Sequence, residues 1–202
     1  MIEQRLSDNI RQYSYNWICN HLSLVKHSKK LLDIGCRESR FPAYMASQGY
    51  EVDTVERDVS FVKLQTQYKK EFNSEFNIIS TDLLDLPSEP KYNIISAIYS
   101  LQHNIEKDIE CYEKAAELCT EYLYIVNEFN AKKTDFKLGR SDGDMRVYSM
   151  DDVWERIINP INKKHQSRSV KMELALFNFP RVTIEKVCDL YQANTIQIRI
   201  EF

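Results

Sequence analysis

The sequence predicts an α/β domain built on a doubly wound, mostly parallel sheet of seven strands with helices on both faces. Short apolar runs typical of buried strands alternate with longer segments of helical spacing, and this alternation indicates βαβ units. The runs IISAI and YLYIV are apolar at almost every position, as expected for parallel strands covered on both faces. The chain has 202 residues, which suits a single domain with a substantial core.

The first two thirds of the chain carry a regular alternation of elements. Five strands are predicted, at 29–35, 50–55, 77–81, 92–99 and 121–129. Helices are predicted before and between them, at 2–25, 40–48, 59–71 and 105–120. Gly49 follows the second helix, where a glycine commonly ends a helix.

The pattern changes after residue 130. Residues 131–147 are polar and hold two of the four glycines, which predicts a loop. A short helix is predicted over 150–158 with Ser149 as its N-cap, because the next residues include acids that suit a helix N-terminus. Two late strands are predicted at 170–179 and 195–202, with a helix or long turn at 183–192 between them.

Composition excludes several classes of protein. The formal net charge of −3 argues against a general binder of the phosphate backbone. The five cysteines are odd in number and lack C-x-x-C spacing, so we expect reduced thiols and neither a disulfide framework nor a metal site. The N-terminus lacks the apolar core of a secretory signal, and no apolar run approaches the roughly 18 residues of a membrane span. We therefore expect a cytoplasmic protein without membrane contact.

Candidate site residues follow directly after the predicted strands. In an open α/β sheet, ligands bind outside the carboxyl ends of the strands, near the point where the strand order reverses. Carboxylates stand at three consecutive strand ends, at Asp33, Glu56 and Asp82. Glu56 lies 21 residues after Gly35, close to the roughly 20-residue offset of the ribose-binding acid in dinucleotide folds.

These segments resemble the class I (Rossmann-like) S-adenosylmethionine-dependent methyltransferases, particularly the small single-domain members. LLDIGC resembles the first-strand motif, and GYEVDTVERD resembles the second strand with its terminal acid. STDLLDLP resembles the segment that meets the adenine, and YNIISAIYSLQHNI resembles the fourth strand and the turn after it. The resemblance covers residues 29–129, and the order of the later elements is similar to the family's sixth and seventh strands.

The resemblance implies S-adenosylmethionine as the cofactor. It implies that Glu56 accepts the ribose hydroxyls and that Asp82 accepts the adenine amino group, with Asp85 as the competing residue. The full set of implied cofactor-binding residues is Asp33, Gly35, Cys36, Arg37, Glu56, Arg57, Asp82, Leu83 and Tyr99. His103 stands where many members have a histidine and is the candidate catalytic base, although a histidine there also suits the start of a helix.

The resemblance also implies that three segments of the single domain, residues 1–202, have different roles. Residues 1–26 would form a helical lid, 29–129 the cofactor-binding core, and 130–202 a substrate loop with the last strands. Tyr13, Tyr15 and Trp17 suit either such a lid or, as favoured, the packing face of an amphipathic helix. The residues implied to meet the substrate are Tyr13, Asn127, Glu128, Arg146 and Tyr148.

The turn after the first strand departs from the family's pattern. That pattern is acid-x-Gly-x-Gly-x-Gly, whereas this chain has DIGCRES, with Arg37 and Ser39 at the second and third glycine positions. Arg37 would place a cationic side chain where the ligand usually passes, either pointing outward or narrowing the pocket. The segment also fails the G-x-G-x-x-G pattern of nicotinamide-dependent dehydrogenases.

The leading prediction is methyl transfer to an oxygen or nitrogen atom of a small molecule, such as a sugar, a polysaccharide precursor or a secondary metabolite. One alternative is a catalytically inactive, methyltransferase-like scaffold subunit, which the two missing glycines favour. The other is a nucleic-acid methyltransferase, which the basic stretch 163–171 favours and the acidic balance opposes. We expect a small-molecule substrate and no nucleic acid; a homodimer is left open.

Overall fold

The structure, a computed structural model, describes residues 2–89, 91–130, 135–137, 144–182 and 187–202. Helices and strands alternate as far as residue 128, in the order α1 (Ile2–Leu24), β1 (Lys30–Ile34), α2 (Phe41–Ser47), β2 (Glu51–Val55), α3 (Val59–Glu71), β3 (Asn77–Ile79), β4 (Tyr92–Ile98), α4 (Asp108–Leu118) and β5 (Cys119–Glu128). The later elements are β6 (Asp135–Lys137), β7 (Met145–Val147), α5 (Met150–Asp152), a π-helical segment (Val153–Ile158), α6 (Asn159–Lys164), β8 (Ser169–Val182) and β9 (Val187–Glu201).

Seven of the strands form one sheet in the order β3-β2-β1-β4-β5-β9-β8. The first five strands are mutually parallel, and β9 is antiparallel to both β5 and β8. The chain moves from β1 to one side of the sheet and returns to the other side with β4, so the strand order reverses between these two strands. The predicted doubly wound, mostly parallel sheet is confirmed.

Alternate residues of the central strands supply two separate cores. Leu32, Ile95 and Leu123 are fully buried with residues of α4, the π-helical segment and α6. Their neighbours Leu31 and Ile94 are fully buried on the other face, with residues of α1 and α2. Both faces are therefore covered, which explains why the central strands are continuous apolar runs and do not alternate with polar residues.

Side-chain hydrogen bonds fix the starts of two helices, α3 and α5. Asp58 caps α3, because its Oδ1 accepts the Ser60 N–H at 2.8 Å. Ser149 caps α5 as predicted, and it forms a reciprocal capping box with Asp152. The helix that starts there extends further than the predicted end at 158, since α6 continues it to Lys164.

Two predictions about the C-terminal third are wrong. The segment 131–147 is not simply a loop, because β6 and β7 pair within it, and the rest of it up to residue 143 lies outside the described residues. The helix or long turn predicted at 183–192 is wrong for residues 187–192, which belong to β9 and pair with β8, whereas residues 183–186 lie outside the described residues. Pairing with a neighbouring strand outweighs local preference here, as is common for strands.

Candidate functional site

A cavity of about 340 Å³ opens at the carboxyl ends of β1 and β2, next to the reversal of strand order. Its wall comes from the residues that follow four strands and from the start of α3. Seven of the predicted site residues line it, namely Gly35, Arg37, Glu56, Arg57, Asp82, Leu83 and His103. Ligands of open α/β sheets bind in this position.

Gly35 shapes the turn after β1 in two ways. Its φ of +70° lies in the left-handed region, and its N–H donates to the Val55 carbonyl at 2.9 Å. A Cβ on this residue would lie 2.6 Å from the Cβ of Ser100, in the turn after β4. The absence of a side chain therefore allows the two turns to approach each other beside the cavity.

We expect Gly35→Ala to lower the free energy of unfolding by roughly 2–4 kcal/mol, because a left-handed conformation and an overpacked contact both become costly. Gly49→Ala is the matched control: its φ is +81°, but the nearest atom to its Cβ would be Lys29 Nζ at 3.9 Å. That variant should lose only about 1 kcal/mol, for the conformation. Urea unfolding measures both, and equal losses would show that the Ser100 contact is unimportant.

Glu56 joins the turns after β1 and β2. It is 5% exposed, its Oε2 accepts the Arg37 N–H at 2.9 Å, and its Oε1 accepts the Asp58 N–H at 2.9 Å. Each carboxylate oxygen has lone pairs for a further hydrogen bond. Glu56 can therefore hold the cavity wall and accept hydroxyl groups from a ligand at the same time.

The Arg37 side chain lies along the cavity wall. Its guanidinium carbon is 5.0 Å from the centre of the Phe61 ring, and its Nε is 3.7 Å from a carboxylate oxygen of Glu38. The side chain is 24% exposed. Arg37 therefore lines the cavity next to Phe61.

Asp82 and Arg57 form the opposite rim. Asp82 Oδ1 accepts the Leu84 N–H at 3.1 Å, and Asp82 Oδ2 accepts from Arg57 Nη1 at 3.3 Å. Their side chains are 35% and 62% exposed, so this ion pair contributes little to stability. Asp82 therefore remains accessible to a polar ligand group.

Asp33 and Cys36 lie beneath the cavity and do not line it. Burial raises the pKa of Asp33 to about 7, against the effect of a hydrogen bond at 2.5 Å from Ser96 Oγ, and nearby Glu56 adds to the rise. Burial likewise raises the pKa of the Cys36 thiol, so this thiol is not a nucleophile at neutral pH. A positive charge brought near Asp33 would favour its ionised form.

α1 packs on the same face of the sheet as α2. Tyr15 stacks on Phe41 with ring centres 4.6 Å apart, and Trp17 meets Tyr124 edge to face. Tyr99, predicted to contact the cofactor, is not among the residues that line the cavity, and its hydroxyl makes a hydrogen bond of 2.7 Å with Thr195. Tyr15 and Trp17 thus form the packing face of α1, whereas Tyr13 is 48% exposed.

Most of the predicted substrate residues lie in a buried polar network centred on Asp108. Asp108 is fully buried and accepts from the Tyr148 hydroxyl and from two nitrogens of Arg156, while Arg146 Nε lies 3.0 Å from its Oδ2. The network continues through Tyr112 to Asn127, whose Nδ2 donates at 2.7 Å. Sequence reasoning missed Asp108 and Arg156, because polar residues on helices are typical of solvated faces. It missed Tyr112 because an aromatic residue at helical spacing is typical of a core.

A second cavity of about 630 Å³ adjoins the first and shares Arg57, Asp82, His103 and Asn104 with it. Its remaining wall includes Leu84, Asp85, Ile105, Glu106, Lys107 and Asp144. His103 Nδ1 lies 2.9 Å from the Asp144 carbonyl oxygen. Because a carbonyl only accepts, this contact places a proton on Nδ1 and makes Nε2 the basic nitrogen.

In the part of the chain that the structure describes, no group of three or more His, Cys, Asp or Glu side chains is arranged to hold a metal ion. Within the same residues, no helix is long and apolar enough to cross a membrane.

Glu128, the remaining predicted substrate residue, is half-buried, and its N–H donates to Gln102 Oε1 at 2.8 Å.

Solved structures with the same fold include several methyltransferases. The YcgJ protein of Bacillus subtilis has a TM-score of 0.70 and 11% identity, covering 94% of this chain and 98% of that one. The 1,6-didemethyltoxoflavin-N1-methyltransferase of Burkholderia thailandensis, solved with 1,6-didemethyltoxoflavin and S-adenosylhomocysteine, has a TM-score of 0.66 and 12% identity, covering 93% and 76%. TehB of Haemophilus influenzae has a TM-score of 0.67 and 12% identity, covering 92% and 61%.

Sequence comparison identifies the family within this fold. The ubiquinone biosynthesis O-methyltransferase of Rickettsia akari is 23% identical over 130 residues, which are 63% of this chain and 51% of that protein. The chain thus spans about half the length of this relative. The family described as tellurite resistance protein TehB matches residues 12–158, well over half of the chain. The chain therefore belongs to the TehB family, among the class I (Rossmann-like) S-adenosylmethionine-dependent methyltransferases that its strand-end motifs resemble.

Proposed function

We propose that this chain transfers a methyl group from S-adenosylmethionine to an oxygen or nitrogen atom of a small molecule. The observation that carries the proposal is the first cavity, where Gly35, Glu56 and Asp82 from three consecutive strand ends meet. Relatives named as an O-methyltransferase and an N1-methyltransferase support the class of acceptor atom.

The cavity wall fits the adenosine part of this cofactor. Its volume falls in the usual range of small-molecule sites, roughly 300–1,000 Å³. Ser100 lines it, and the buried Oγ of Ser100 has no hydrogen-bond partner among the described residues. An unpaired buried hydroxyl is costly, so a ligand group that pairs with it would bind favourably.

Each acid has a role that matches its place. Glu56 accepts the two ribose hydroxyls, and Asp82 accepts the adenine amino group next to the backbone of Leu83. Ionised Asp33, beneath the cavity, favours a ligand that carries positive charge. When bound, the cofactor supplies an electrophilic methyl group, so positioning accounts for much of the rate.

The second cavity is the proposed place for the acceptor. His103 and Asn104 line both cavities, so an acceptor held in the second would meet the first at these residues. Nε2 of His103 then takes the proton of an acceptor that arrives protonated. Tyr13 and Glu128 remain candidates for contacts with a larger acceptor, whereas Asn127, Arg146 and Tyr148 support the site from the core.

Calorimetric titration with S-adenosylmethionine and S-adenosylhomocysteine tests the proposal. We expect micromolar binding of both, weakened by Asp82→Ala about 5- to 150-fold, as for the loss of roughly 1–3 kcal/mol from an unpaired polar group. Asp85→Ala, which removes a nearby carboxylate that lines only the second cavity, should leave this affinity unchanged.

The opposite outcome would identify the alternative function. A folded sample that binds neither compound would mean that Arg37 has closed the cavity, and the chain would then be a scaffold subunit. His103→Gln adds a separate readout, since it should lower turnover of an acceptor about 100- to 10,000-fold without changing cofactor affinity.

A further inference from the structure

The turn after β1 holds an unfavourable conformation without the usual glycines. Arg37 has a φ of 44°, in the left-handed region that residues with a Cβ avoid. Ser39, at the third glycine position of the family's motif, is buried. A conformation of this kind persists only when surrounding contacts fix it.

Those contacts come from α3. Nε2 of the fully buried Gln65 donates to the carbonyl oxygens of Arg37 and Ser39, both at 2.8 Å. One turn further along the helix, the Tyr68 hydroxyl donates to the Glu38 carbonyl at 3.2 Å. Three consecutive peptide carbonyls of the turn are therefore held by two side chains of one helix face.

The same turn is fixed from its other side by Glu56. The Arg37 N–H that donates to Glu56 Oε2 points to that carboxylate only while Arg37 keeps its conformation. Gln65 holds the Arg37 carbonyl, in the peptide unit that follows the Arg37 Cα, while Glu56 holds the N–H in the unit that precedes it, so Gln65 helps to fix the conformation on which the contact with Glu56 depends. The Gln65 amide donates both hydrogen bonds through Nε2, while its own Oε1 is buried without a partner among the described residues.

We propose that Gln65 is a positioning residue for cofactor binding, with Tyr68 as a second contact of the same kind. The amide of Gln65 fixes the turn by hydrogen bonding, where the family's motif relies on glycines. The inference rests on the proposed function in one respect, that the cofactor binds beside this turn. It explains how Arg37 and Ser39 are accommodated without loss of the cavity.

The test compares Gln65→Met with Gln67→Met. Methionine matches glutamine in shape but has no donor, and Gln67 lies exposed on the same helix. We expect Gln65→Met to weaken S-adenosylmethionine binding roughly 10- to 100-fold, as for two buried carbonyls left without donors. The amide protons of Arg37 and Ser39 should exchange with solvent at least tenfold faster. Gln67→Met should change neither quantity.

Hydrogen exchange separates this inference from the proposed function. If the wild-type chain fails to bind S-adenosylmethionine, the proposed function falls, but unchanged exchange in Gln65→Met would independently overturn the role of Gln65. Wild-type cofactor affinity in Gln65→Met would also overturn it. Should that variant not fold, Tyr68→Phe keeps the ring and removes the hydroxyl that donates to the Glu38 carbonyl. It should weaken binding about 2- to 5-fold. Unchanged affinity and exchange in Tyr68→Phe would contradict the proposal.

Discussion

Glu56→Ala should weaken binding of S-adenosylmethionine by roughly 100- to 20,000-fold, or about 3–6 kcal/mol, because two hydrogen bonds to a charged group are worth roughly 1.5–3 kcal/mol each. The carboxylate now holds the backbone of Arg37 and Asp58, and we propose that it also holds the ribose. Its loss therefore removes a ligand contact and at the same time loosens the wall around that contact.

Calorimetry on matched variants checks this result. Glu75→Ala is the control, because the Glu75 side chain is 95% exposed and lies outside both cavities. It should bind the cofactor like the wild-type chain. Glu56→Gln keeps one acceptor oxygen and should give an intermediate affinity. Binding by Glu56→Ala within threefold of wild type would contradict the assignment of the ribose site.

Asp108→Ala should lower the free energy of unfolding by about 3–5 kcal/mol, the usual effect of breaking a buried ion pair from one side. Asp108 is fully buried with Arg146 at 3.0 Å and Arg156 at 2.6 Å. The hydrogen bond to Asp108 raises the pKa of Arg156. An arginine stays charged at neutral pH even without such a partner, so the variant leaves a charged guanidinium unpaired with Asp108. This loss is a large fraction of the roughly 5–15 kcal/mol that stabilises a typical domain.

Urea unfolding measures the change, with Glu110→Ala as control. Glu110 lies in the same first turn of α4 but is exposed, so its removal should change stability by less than about 0.5 kcal/mol. A loss below about 1 kcal/mol in Asp108→Ala would show that the network contributes little. The two arginines also join β7 and the π-helical segment to α4, so the variant should expose these elements to proteases first.

The first five strands and the helices between them were predictable because their signals are local. Buried parallel strands are apolar runs, and each ends at a polar residue that the sheet then brings to one rim. The π-helical segment and the first half of β9 were not predictable in this way. Residues 187–192 become a strand through pairing with β8, and the sequence of the segment alone does not indicate that it pairs with another strand.

In the candidate site, too, residues with a local signal were predictable and residues that depend on distant contacts were not. Gly35, Glu56 and Asp82 follow strands directly, so topology alone brings them together. Asp108 and Gln65 sit on helices, and their partners are distant in sequence. One signal for Gln65 was present: it lies four residues after Phe61 and three before Tyr68, so it is a polar residue within an otherwise apolar helix face.

β9 lies between β5 and β8 in the sheet, although β8 precedes it in the chain. On the ribosome, β8 emerges before the strand that attaches it, and the outer edge of β5 stays open until β9 has been made. Unpaired edges of apolar strands readily pair with other chains. During synthesis there is therefore an interval in which the edges of β5 and β8 are both unpaired because β9 has not yet been made. Slow elongation through residues 187–201 would lengthen this interval and increase the risk that the nascent chain aggregates.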